Sequence, residues 1–152
     1  MRIADVCTRI PVTIRAAQTV LEAAKRMREG HVGSLVVVDR DGDGVPVGMI
    51  TDRDIAVSVI ARELDPSLVD VSEVMSRNVA TCGENTELTE VIRVMRSRGV
   101  RRLPVLDARG NLAGIVAIDD IYGMLSLQMQ DLSQAVTRGQ VREMSTRVQG
   151  AP

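Results

Sequence analysis

Apolar residues recur at helical spacing in two stretches of the chain. Val20, Ala23, Ala24 and Met27 fall at i, i+3, i+4 and i+7, and so do Leu88, Val91, Ile92 and Met95, which gathers one buried face on a helix. Each stretch opens on capping chemistry. Thr19 stands three residues before Glu22, a capping-box pair, and Thr86 precedes the acidic Glu87 and Glu90. Gly30 and Gly99 are expected to end the two helices. Beyond each lies a short, almost wholly apolar run, Ser34 to Val38 and Leu103 to Leu106, which reads as a strand buried on both faces. Turn residues follow, Asp41 to Gly44 and Ala108 to Asn111. Second strands, Val47 to Thr51 and Leu112 to Ala117, then run into helices starting near Asp52 and Ile118. Ahead of each long helix stand a short apolar stretch, Ile3 to Cys7 or Val71 to Met75, and an edge-strand segment, Val12 to Ile14 or Ala80 to Cys82. The unit is β-α-β-β-α.

The two halves are copies. Ile3 to Asp39 match Val71 to Asp107 at a constant offset of 68 positions, and after a two-residue deletion Gly48, Asp54 and Ile55 answer Gly114, Asp120 and Ile121. A period this long exceeds the 20 to 50 residues of solenoid repeats, so the pattern describes one small domain duplicated and folded against its copy. Clefts between the copies are the natural ligand sites. The polar, proline-containing segment 63–70 is the expected linker.

The last helix outruns its partner. Ile121, Leu125, Met129, Leu132 and Val136 keep one apolar stripe, and Gly139 is expected to interrupt the helix before a final polar segment. Such a stripe needs a cover, either the chain's own sheet or a second copy of the chain, and the second copy is the simplest candidate.

Composition narrows the function. Hydrophobic residues make up 45% of the 152 and charged residues 26%, ordinary for a soluble globular chain. One Tyr with no Phe or Trp leaves no aromatic platform for base stacking, so nucleic acid is not an expected partner. The net charge of −1 gives no global field for polyanions or anionic membranes. Arg96, Arg98, Arg101 and Arg102 form a local exception; the first two read as a solvated helix face, whereas the second pair introduces a buried strand. Cys7 and Cys82 have no metal-ligand spacing and read as small buried hydrophobes, and the one histidine, His31, reads as solvated or capping just past a helix end. No run of residues approaches a membrane span, and a cytoplasmic location is expected. Nothing offers a nucleophile-base or paired-carboxylate constellation, so no enzyme, metal or catalytic cofactor is expected.

The sharpest short motif is Gly48-Met-Ile-Thr51-Asp-Arg-Asp54, running from strand to helix. A carboxylate there suits the vicinal hydroxyls of a ribose, and a helix start suits an anion. The same Thr-x-x-Asp is equally a helix cap.

Taken together, the aliphatic β-α-β-β-α unit, its duplication, and the equivalent Gly114-Ile-Val-Ala117-Ile-Asp-Asp120 resemble a tandem pair of cystathionine β-synthase (CBS) domains, the Bateman module, over residues 3 to about 126. The resemblance implies an α/β (α+β) fold: two CBS units over 1–62 and 71–126, packed with pseudo-two-fold symmetry, followed by a C-terminal helical extension, 127–152. It implies a regulatory module that binds an adenosine-containing ligand (AMP, ADP, ATP, NAD or S-adenosylmethionine) between the units, pairs into a homodimer through the CBS helices and the C-terminal helix, and signals to a protein partner. Carried onto this chain, it implies a first cleft of Met49, Thr51, Asp54, Val79, Ala80, Arg101 and Arg102. A second cleft would use Pro11, Val12, Gly33, Ser34, Ile115, Ala117 and Asp120. The second lacks the hydroxyl at Ala117 and has Gly33 and Ser34 where the first has two arginines. The alternative is a dimeric scaffold or interaction protein that needs no ligand, in which Thr51 and Asp54 serve only as a cap.

Overall fold

The computed structural model describes residues 1–41 and 44–149, so Gly42 and Asp43 of the first hairpin turn and the last three residues of the C-terminal extension lie outside the described residues. It divides into two compact units, Met1–Ala117 and Ile118–Pro152.

The first unit holds two three-stranded sheets. One has the order β1 (Thr13–Arg15), β2 (Ser34–Val38), β3 (Pro46–Thr51); the other has β4 (Cys82–Gly83), β5 (Arg102–Leu106), β6 (Leu112–Ala117). In each, the first strand runs parallel to the central one and the third antiparallel, Thr13 facing Val36 and Cys82 facing Val105. The parallel crossover is supplied by α1 (Val20–Gly30) or α4 (Leu88–Arg98), and shorter helices α2 (Asp52–Ser58) and α3 (Val71–Val74) complete the unit. All five residues of β2 are buried. Leu35 and Val37 face the core under α1 with Ile14, Val20, Ala23, Met27 and Ile50, while Val36 and Val38 turn the other way and meet Leu112 and Ile115 of β6. One face of β2 therefore joins the helices and the opposite face joins the repeats.

The repeats also exchange their leading segments. Val71 N–H donates to the Gln18 carbonyl and Ser72 N–H to Ala16, while Ile3 N–H donates to Thr86 and Ala4 N–H to Glu84, the same two bonds displaced by one repeat. Val20 N–H to Val69 and Leu88 N–H to Met1 form another such pair. Val71 and Met75 are consequently part of the core beneath the first repeat's helix. Further along, Thr8 and Ile115 exchange two backbone hydrogen bonds of 2.9 and 3.0 Å, and Ser76 and Met49 exchange two of 2.8 and 3.1 Å. Each leading segment thus adds a short rung to the other repeat's outer strand.

Three helix ends differ from the sequence expectation. Glu87, not Thr86, is the N-cap of α4, and the Thr86 hydroxyl oxygen instead accepts from the Gly83 N–H at 3.1 Å. Gly30 is the last residue of α1, and it is His31 that takes the left-handed cap (φ 51°), its N–H reaching the Arg28 and Met27 carbonyls; in the second repeat Gly99 takes that position (φ 65°). The described residues of the second unit form a single helix, α5 (Ile118–Gln149). Gly139 does not interrupt it, because one glycine costs a helix only about 1 kcal/mol relative to alanine and the flanking turns propagate through it. Among the described residues no helix is long and apolar enough to cross a membrane.

Candidate functional site

The first unit contains a cleft of about 580 Å³, within the range of small-molecule sites. Strand β3 passes into α2 without a loop, so Thr51 is both the last strand residue and the N-cap of the helix. Alternation along β3 buries Gly48 and Ile50 and turns Met49 and Thr51 to the opposite face, where they line the cleft. A second wall is the segment that follows α3, Ser76 to Ala80, held against β3 by the Met49–Ser76 bonds. Asn78 in that wall adopts φ 56°. The third wall is the turn from α4 into β5, Arg98 to Arg102. No heavy atom lies within 4 Å of where a Cβ on Gly99 would stand.

Of the residues named for the first cleft, Met49, Thr51, Val79, Ala80, Arg101 and Arg102 line it. Asp54 stands behind Thr51 in a complete capping box. The Thr51 N–H and hydroxyl both donate to Asp54 Oδ2 at 2.8 Å, and the Asp54 N–H donates to Thr51 Oγ1 at 3.1 Å. Both bonds to the carboxylate fall on one oxygen, and Oδ1 stands outside the box. The cap is therefore formed in fact, and it also orients the carboxylate.

The cleft holds residues that the sequence reading left out. Arg53, the first-turn neighbour of the motif aspartates, lines it, as do Arg77 and Arg98. Arg98 is thus a cleft residue, unlike Arg96, with which the sequence groups it. A signal existed: Arg98, Arg101, Arg102 and Arg53 occupy repeat positions held in the other half by Gly30, Gly33, Ser34 and Asp119. Among the described residues five arginines line the cleft, and no Asp or Glu does.

The residues named for the second cleft are placed differently. Ser34 is buried and pairs with Thr51 across β2 and β3, and a Cβ on Gly33 would come within 3.0 Å of Asp52 Oδ2. Ile115 is bonded to Thr8, and Ala117 pairs with Arg102 across β5 and β6. Pro11 and Val12 lead into β1, and Val12 packs on the core. Asp120 lies in the first turn of α5, in the other unit. Away from the cleft, burial pushes the Cys82 thiol up to about 11 and also raises Cys7, so neither is a ready thiolate at neutral pH. His31 is exposed.

The chain belongs to the CBS-domain family: the CBS domain model matches it twice, over residues 3–60 and 71–126. The uncharacterized protein MK0525 of Methanopyrus kandleri is 36% identical over 119 residues, 78% of this chain, and the chain spans 60% of that protein's length. Among solved structures, the CBS domain pair of protein MJ0100, in complex with 5′-methylthioadenosine and S-adenosyl-L-methionine, superposes with a TM-score of 0.73 at 28% identity, covering 84% of this chain and 98% of that one. The CBS domain protein PAE2072 from Pyrobaculum aerophilum, complexed with AMP, gives 0.71 at 25% identity, covering 79% and 89%. The chain is a tandem CBS module with a long C-terminal helix.

Proposed function

We propose that the cleft between Met49, Val79 and Arg102 binds an adenosine-containing nucleotide and that the protein is a regulatory module controlled by that ligand. The observation that carries the reading is the cleft's division of labour. Aliphatic side chains, Met49, Val79, Ala80 and Val100, offer flat apolar walls to a purine. Thr51 lines the cleft with the Asp54 carboxylate fixed behind it, its Oδ1 outside the capping box and assigned to a ribose, and the arginines at the α4–β5 turn offer guanidinium forks to phosphate. The adenosine ligands of the MJ0100 and PAE2072 pairs support it. Because the walls come from both repeats, a ligand that fills the cleft ties them together and favours one packing of the pair. Regulation then follows only if the partner-binding state differs in affinity for the ligand.

The complete capping box favours one other reading, a ligand-independent scaffold. A thermal-shift panel of AMP, ATP, NAD and S-adenosylmethionine separates the two, since binding to the native state alone at about 100 times Kd adds about 2.7 kcal/mol of apparent stability. A rise of several degrees with at least one compound is expected; no rise with any of them leaves the scaffold.

The assembly we propose is a homodimer using the CBS helices and α5. Tyr122, Leu125, Met129, Leu132 and Val136 alternate spacings of three and four along α5, and all are exposed, the pattern of a helix-pairing seam. Acidic Asp119, Asp120 and Asp131 occupy the N-terminal half of the helix, and Arg138, Arg142 and Arg147 outnumber Glu143 in the C-terminal half, so two copies match charge when antiparallel. Sedimentation velocity is expected to show a dimer that Leu125→Lys with Leu132→Lys shifts toward monomer; a double variant that sediments as the wild type does would remove α5 from the interface.

A further inference from the structure

The cleft's charge is out of proportion to the chain's. Arg53 comes from the first turn of α2, Arg77 from the segment after α3, Arg98 from the last residue of α4 and Arg102 from the start of β5. Four separate segments therefore deliver a guanidinium to one cavity, in a protein whose net charge is −1. Among the described residues none of the four is in a salt bridge with a carboxylate. Arg77 uses one nitrogen on the Ser72 carbonyl, which leaves its charge uncompensated. Arg101 borders the cleft as well but has another interaction within the protein and is left out of the count. Like charges collected this way repel one another, and although water and salt screen the exposed ones, a bound anion of matching charge relieves the repulsion directly.

We infer that this cleft is built for the polyphosphate end of a nucleotide, so that its ligand is a nucleoside triphosphate, taken up without a divalent cation, and not a monophosphate or a sulfonium nucleoside. This rests on the nucleoside reading above and narrows it. A single phosphate carries about two negative charges and leaves half of the cluster uncompensated, whereas a triphosphate carries about four. S-adenosylmethionine would set a sulfonium cation among guanidiniums, and 5′-methylthioadenosine would bring no charge at all. A magnesium ion on the triphosphate would cancel part of the attraction; among the described residues no Asp or Glu lines the cleft, and Asp54, standing behind Thr51, is assigned to the ribose. The repeat supplies an internal contrast: Arg77 is answered by Arg9, but Gly30, Ser34 and Asp119 stand where Arg98, Arg102 and Arg53 do. The clustering is therefore particular to this cleft and not a property of the repeated fold.

Calorimetric titration of the full chain at fixed ionic strength tests the inference, using ATP in EDTA, ATP with excess magnesium, AMP, S-adenosylmethionine and inorganic tripolyphosphate. Metal-free ATP is expected to bind about 100-fold more tightly than AMP, and magnesium to weaken ATP about tenfold, on the scale of a few charge-assisted bonds. Arg53→Gln and Arg98→Gln, both at exposed positions, are each expected to weaken ATP about tenfold and AMP less than about threefold. AMP or S-adenosylmethionine binding as tightly as ATP, or ATP binding unaffected by magnesium, overturns the inference and leaves the nucleoside reading standing. Tripolyphosphate binding as tightly as ATP overturns the nucleoside reading instead, and no binding by any compound overturns both.

Discussion

Gly48→Val is expected to lose about 3 kcal/mol or more of folding stability, and Gly48→Ala about 2 kcal/mol, because the leading segment of the second repeat crosses β3 directly over this glycine. A Cβ there would stand 2.8 Å from the Ser76 carbonyl oxygen and 2.7 Å from Met75 Sδ. The methionine sulfur can swing aside. The carbonyl cannot, since Ser76 and Met49 hold each other by two backbone bonds. Relief requires the 76–80 wall to move off β3, so ligand binding should weaken along with stability. The repeat makes the same demand at Gly114, where a Cβ would meet the Thr8 carbonyl oxygen at 2.7 Å, and Gly114→Val should cost a similar amount. Gly139→Ala serves as the control. Nothing lies within 4 Å of its added Cβ, and a helical glycine replaced by alanine should gain up to about 1 kcal/mol. Urea denaturation measures all four, and a Gly48→Val protein within about 0.5 kcal/mol of the wild type would show that the crossing is soft, since ordinary surface substitutions fall in that range.

These two glycines mark the boundary of what the sequence discloses. Their equivalence is visible in the repeat, as are the doubly buried β2 and the Thr19 and Thr51 capping boxes, because each is a local pattern governed by a period or a short spacing. What they accommodate is not local. The bonds from Ile3 to Thr86 and from Thr8 to Ile115 join residues that no periodicity connects, so the exchange of leading segments appears only in the fold. Arg98 shows the same limit at the cleft. It stands three residues after Met95 and seven after Val91, at the edge of the apolar face of α4, where a charged side chain reads as solvated, yet another segment of the chain completes a cavity there. Arg53 was hidden for a different reason: it sits inside a motif whose carboxylates and hydroxyl already carried an explanation. Gly139 misled in the opposite direction, since a breaker residue decides a helix end only when the neighbouring residues do not outweigh it.

Asp54→Asn is expected to weaken adenosine-nucleotide binding about 100-fold while costing less than about 1 kcal/mol of stability, whereas Thr51→Ala is expected to cost about 1 kcal/mol and to weaken binding far less. The two residues are coupled through the box, so either change alone is ambiguous. Thr51→Ala removes both the oxygen that accepts from the Asp54 N–H and the hydroxyl that donates to Oδ2, a cap loss of about 1 kcal/mol, but the backbone N–H of residue 51 still holds the carboxylate. Asp54→Asn keeps an oxygen that can still accept from the Thr51 N–H and so preserves most of the cap. What it removes is the charge on the oxygen that stands outside the box, where a ribose would be held. Two hydrogen bonds to a charged acceptor, at about 1.5 kcal/mol or more each, account for the expected loss of about 100-fold. The comparison therefore turns on the ratio of effects and not on either magnitude. If Thr51→Ala and Asp54→Asn lower affinity equally and in proportion to stability, Asp54 acts as a cap alone, and the ribose contact must be sought among the other groups of the cleft.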